Sequence, residues 1–196
     1  MNAMNTHYPD PVRVEPVNRH TLAVVVDNEP GVLARISGLF SGRGYNIESL
    51  TVSETEEARH ISRVTIVTTG TNAVIEQIKA QLDRLVPVHR VVDLTLQGNA
   101  LEREICLVKV RGEGEHRSEA LRLAAAFGAK TLDATLDSFV FELTGATEEI
   151  DRFVGLMSVI GLVEICRTGI AAMSRGRSRS EPAPAESCVP SDRRRG

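Results

Sequence analysis

VVVDNEPGVLARISGLFSGRGYNIESL, residues 24–50, takes a strand into a helix and back into extended chain. An apolar run ends at Asp27, a turn is built from Asn28, Pro30 and Gly31, and Val32, Leu33, Ile36, Leu39 and Phe40 then fall on one helical face. The GRG at 42–44 ends that helix, because the residue beyond a helix C-terminus takes a left-handed conformation that glycine adopts without strain. Pro30 suits a helix's first residue, where its missing N–H would have no partner anyway, and this leaves Asn28 or Glu29 as the cap. Such a turn has two readings. It is an ordinary capped helix, or it leaves bare first-turn amides at the positive end of a helix dipole for an anion such as a carboxylate. Gly31 lets a ligand come close, and the Asn28 side chain adds a carbonyl and an amide, enough to hold both ends of an amino acid.

Working outward, HTLAVVVD (20–27) is a strand before this helix, and NIESLTVSE (46–54) and HISRVTIVTT (60–69) are strands after it, with the acids from Glu54 to Glu57 at their hairpin tip. A helix with Val74, Ile75, Ile78, Leu82 and Leu85 on one face and a strand at VHRVVDLTL (88–96) complete a βαββαβ order. After a joint at Gln97–Leu101 the order repeats: REICLVKVR (103–111), a helix at 118–127 with Leu121, Ala124 and Phe127 inward, AKTLDATL (129–136) and SFVFELTG (138–145). A helix at 147–157 burying Ile150, Phe153, Val154 and Met157, then VIGLVEICRTG (159–169), close the second unit. GEGEH (112–116) reads as a loop whose acids would repel phosphate. The fold class predicted is α+β, two ferredoxin-like βαββαβ sandwiches in tandem over 19–97 and 102–173, each sheet with both helices on one face. Val24 and Val26 alternate with Ala23 and Val25, so the first strand is apolar on both sides and calls for a second copy on the bare face, a homodimer or larger.

The flanks differ from the body. Residues 1–18, with Pro9, Pro11 and Pro16, read as a flexible leader, and the Arg/Ser/Pro-rich segment 174–196 lacks the apolar content to offset its ordering entropy and reads as disordered. That tail carries six Arg against Glu181, Glu186 and Asp192, on a chain of 196 residues whose net charge is −3, so the folded body is acidic. An acidic body gives no reason to expect nucleic acid. The RNA-recognition fold shares the βαββαβ order, but the strands at 20–27 and 60–69 contain no Phe, Tyr or Trp on which a base would stack. Cys106, Cys166 and Cys188 are odd in number and widely spaced; buried structural thiols in a reducing compartment account for them, with no disulfide framework and no metal pair. DNEPG has no Cys either, against a metal-carrying loop. No apolar run approaches the roughly 20 residues of a membrane span, and the N-terminus lacks a signal peptide's apolar stretch, so the expectation is a cytoplasmic protein. His7, His20, His60, His89 and His116 sit in no nucleophile motif, and no phosphate loop or paired-carboxylate constellation appears, so no catalytic centre is expected.

DNEPGVLARISGLFSGRGYNIESLTV resembles the ACT domain of the acetolactate synthase small subunit family, and EREICLVKV (102–110) and GIAAMSRG (169–176) resemble the same family farther on, so that the likeness covers about residues 19–175. The resemblance implies a non-catalytic regulatory subunit in valine, leucine and isoleucine biosynthesis, one that activates a large catalytic subunit and confers feedback inhibition by valine. Carried over residue by residue, it puts Asn28, Gly31, Val32 and Leu33 of one chain and Asn46 and Ile47 of a second around the ligand. Thiamine diphosphate, Mg²⁺ and FAD are implied on the catalytic partner and none on this chain. The second unit has RGEGEHRSEA where the first has its Asn-x-Pro-Gly turn, so no ligand is expected there. A short branched side chain suits an apolar pocket, but one methylene separates valine from leucine or isoleucine by only about 1–3 kcal/mol. A stand-alone amino-acid sensor acting on another target is the alternative.

Overall fold

A computed structural model describes residues 15–56, 58, 60–96 and 100–176. The proposed leader and tail lie almost wholly outside these. The first unit is β1 (Asn18–Asp27), α1 (Val32–Arg43), β2 (Ser49–Glu56), β3 (Ile61–Gly70), α2 (Asn72–Leu82) and β4 (Val88–Asp93). The second is β5 (Ala100–Arg111), α3 (Gly114–Ala126), β6 (Lys130–Ala134), β7 (Ser138–Gly145), α4 (Thr147–Ile160) and β8 (Leu162–Arg167), followed by a short strand β9 (Ala171–Ser174). The sheets run β2-β3-β1-β4 and β6-β7-β5-β8, all neighbours antiparallel. Two ferredoxin-like units in tandem is the observed architecture.

Each unit has a core between its sheet and helices. In the first, Leu22, Val24 and Val26 of β1 and Val64 and Ile66 of β3 meet Val32, Ile36 and Phe40 of α1 and Ile75, Ile78 and Leu82 of α2. In the second, Cys106, Val108 and Val110 face Phe139, Phe141, Ile150, Phe153 and Met157. Burying each large side chain contributes about 1.5–3 kcal/mol; aliphatics dominate the first core, where Phe40 is the one buried aromatic among the described residues, while Phe139, Phe141 and Phe153 fill much of the second.

A third cluster corrects the expectation of a bare sheet face. Ala23, Val67, Val92 and Leu94, on the far side of the first sheet, are covered by Ile170 and Ala172 of this same chain. The cover is a two-stranded ribbon: β9 pairs with the first four residues of β5, Ala100 opposite Ser174 through Arg103 opposite Ala171. Arg63 of β3, 9% exposed, donates from Nη2 to the Ala172 carbonyl at 2.5 Å. The apolar far face of β1 thus answers to the chain's own ribbon and is no argument for a second copy.

Other local differences have plain causes. Helix α3 begins at Gly114, so GEGEH is half helix, and Ala120 with Ala124 forms its inner face while Leu121 is 41% exposed. Cys106 is buried as expected, Cys166 on the edge strand β8 is exposed, and Cys188 lies outside the described residues.

Candidate functional site

The turn at the end of β1 is pinned from both sides. Asp27 donates its amide to Pro87 at 2.8 Å, Asn28 donates its amide to His60 at 2.6 Å, and the Asp27 carboxylate meets His89 Nε2 at 2.6 Å. Pro30 is not the first helical residue. Gly31 is the N-cap, with φ +89° and no side-chain cap, and the helix starts at Val32. A left-handed cap needs glycine, and Pro30 before it is one of the turn residues that set the approach. The amides of Leu33 and Ala34 find no backbone acceptor among the described residues. A bare helix N-terminus therefore stands beside an exposed Asn28 side chain and an exposed Gly31.

The remaining candidates divide. Val32 turns its side chain into the core, so only its backbone faces the turn, whereas Leu33 is 38% exposed beside Gly31. Asn46 is exposed and Ile47 half-buried against the first core. Thr68, fully buried on β3, donates its hydroxyl to the Asn46 carbonyl at 2.6 Å and fixes this segment to the sheet. Thr68 carries no signal of this role in the sequence, because threonine is among the residues ordinarily enriched in strands.

Within one chain the two groups do not meet. Asn28 and Gly31 precede α1, and Asn46 and Ile47 follow it. The helix holds 12 residues, or about 18 Å at a rise of 1.5 Å per residue. No cluster of His, Cys, Asp and Glu among the described residues is arranged to hold a metal. No helix among them is long and apolar enough to cross a membrane.

A βαββαβ unit that presents a left-handed glycine cap and open first-turn amides belongs, on its fold and this turn, to the ACT class; the family model described as AHAS small subunit-like ACT domain matches residues 22–90. A second model, described as small subunit of acetolactate synthase, matches residues 103–176. The chain is 44% identical over 161 residues to a probable acetolactate synthase small subunit of Archaeoglobus fulgidus, covering 82% of this chain and 99% of that one. It is 43% identical over 159 residues to the acetolactate synthase isozyme 3 small subunit of Escherichia coli K12, covering 81% of this chain and 96% of that one. The solved structure of the acetolactate synthase small subunit from Thermotoga maritima superimposes with a TM-score of 0.75 at 37% identity, covering 82% and 99% of the two chains. This chain belongs to the acetolactate synthase small subunit family. It is a non-catalytic subunit, and its place in branched-chain amino-acid biosynthesis and its need of a catalytic subunit follow from that membership.

Proposed function

We propose that the chain regulates its catalytic subunit by sensing free valine at a site completed by two copies of the chain. The observation that carries this is the separation of the half-sites: the Asn28–Gly31 turn and the Asn46–Ile47 segment lie at opposite ends of α1, each incomplete alone. In a homodimer with the first units side by side, the turn of one copy faces Asn46 and Ile47 of the other. The amides of Leu33 and Ala34 would take the carboxylate, the Asn28 side chain the ammonium, and Leu33 with Ile47 the branched side chain. On this reading residues 19–97 are the ligand-binding ACT domain, 102–173 a second domain without a ligand, and 1–18 and 174–196 are flanking segments. The catalytic subunit, activated by this chain and inhibited through it by valine, carries thiamine diphosphate, Mg²⁺ and FAD, and the complex is cytoplasmic.

Titration calorimetry of valine into the full chain, with Asn28→Ala beside it, tests the site. Saturable binding to the wild type that Asn28→Ala abolishes is the expected result; absence of binding at a concentration where the chain is dimeric would overturn the valine reading.

A further inference from the structure

Three residues past Asn46, β2 meets the second unit. The Ile170 amide donates to Ser49 Oγ at 3.2 Å. Gly169 crosses directly above with φ +78°, and a Cβ placed there would lie 2.6 Å from Ser49 Oγ and 2.9 Å from Thr51 Oγ1. The positive φ favours glycine here, and any larger residue would have to push the Ser49 and Thr51 hydroxyls aside. Thr51 Oγ1 is buried there without a hydrogen-bond partner among the described residues, so the closeness is maintained at the cost of a hydroxyl's hydration.

A second link runs beside the first. Arg19 reaches Glu48 on one side and Glu102 of β5 on the other, each at 3.4 Å, and Glu102 also accepts the Thr21 hydroxyl at 2.5 Å. Beyond the crossing, the Thr168 amide donates to the Ile105 carbonyl at 3.1 Å, and Arg167 holds Glu104 and, on α4, Asp151. The segment 46–49 is thus tied to the first sheet through Thr68 at one end and to the second unit through Ile170 at the other. Between the ties lies a cleft of about 490 Å³ bounded by Arg19, Glu48, Ser49, Asp151, Arg167 and Gly169. Its walls come from both units, Arg19, Glu48 and Ser49 from the first and Asp151, Arg167 and Gly169 from beyond β5.

We propose that the crossing of Gly169 and Ile170 over Ser49 is the joint through which a ligand held at Asn46 displaces the second unit, with Ser49 and Gly169 as positioning residues. The inference rests on the amino-acid site proposed above. Ser49 stands at the end of β2 opposite Val67, so a ligand drawing on Asn46 and Ile47 tilts this end of the strand without changing its register, and the tilt moves the chain end that contacts Ser49. Coupling of this kind requires that the ligand favour one setting of the joint over the other.

Amide hydrogen exchange of the full chain, with and without valine, reads the joint on peptides covering residues 162–174. Calorimetry on the same samples reads binding. In the wild type valine should change exchange there by about fivefold or more, the low end of ordinary coupling between sites. Ser49→Ala removes the acceptor of the Ile170 amide and should still bind valine saturably, with an affinity within about fivefold of the wild type as reciprocal coupling requires, while the response at 162–174 is lost. Gly169→Ala, confirmed as folded by thermal melting, should behave the same way. A Ser49→Ala chain that binds valine and still transmits the full response would overturn the joint, as would a wild type that binds valine with no response at 162–174. A wild type that does not bind valine would instead bring down the sensor reading itself, and the joint with it.

Discussion

Arg167 grips Glu104 with two arms of its guanidinium, Nε to Oε1 at 2.8 Å and Nη2 to Oε2 at 2.7 Å, while the Glu104 side chain is only 4% exposed. The hydrogen bonds that the guanidinium donates to Glu104 hold its pKa above the usual range. Removing the arginine strands a buried carboxylate. Arg167→Ala should therefore lower unfolding free energy in urea by about 3 kcal/mol. Asp151→Ala, which deletes only the exposed third partner, should cost about 1 kcal/mol or less in the same measurement.

The buried thiol of Cys106 makes a pH prediction. Burial raises its pKa from 9.0 to about 11. The unfolded chain therefore ionises this thiol first. The stability linked to Cys106 is fully present below pH 9.0 and lost progressively as pH rises to about 11, a loss of about 2–3 kcal/mol. Cys106→Ser should flatten that slope in urea titrations across the same window. In the native protein, iodoacetamide should modify exposed Cys166 well before Cys106.

At the turn, stability and binding should separate. Asn28 is exposed and α1 has no side-chain cap, so Asn28→Ala should alter stability by less than about 0.5 kcal/mol while abolishing valine binding. Gly31 has open space around its Cα but φ +89°. Gly31→Ala should accordingly cost about 1–2 kcal/mol through backbone strain alone, measured by thermal or urea unfolding.

Ile170 is the apolar plug between ribbon and first sheet, packed with Ala23, Val67, Val92 and Leu94. Ile170→Ala should cost about 2–4 kcal/mol. Limited proteolysis should then cut near the Leu94–Ala100 connection before either core is attacked.

Much of this was legible in the residues. The alternation in HISRVTIVTT and SFVFELTG, and the helical spacing of Val32, Ile36 and Phe40, specify strands and helices because each face has one fate. Strand β9 was not legible. Four residues, AAMS, carry no period, and they pair with the start of β5, where the chain reads as a joint. The onset of α3 was obscured by Gly112 and Gly114, which ordinarily punctuate. At the site, the Asn-x-Pro-Gly signature was visible, but the cap proved to be Gly31, since the sign of φ at a glycine is set by where the helix must point. Ser49 and Gly169, over a hundred positions apart, carry no local signal of their contact.

Strand β5 has a further consequence. Its even-numbered residues serve two neighbours in succession: Ala100 and Glu102 lie against the first unit, then Cys106, Val108 and Val110 enter the second core. The strand is a phase standard shared by both halves. A single residue inserted between Arg103 and Glu104 would put one half or the other half a period out of step, with no compensating slip open to it. Length variation in relatives of this chain should therefore gather in the connection before Ala100, and β5 itself should change length by two residues or not at all.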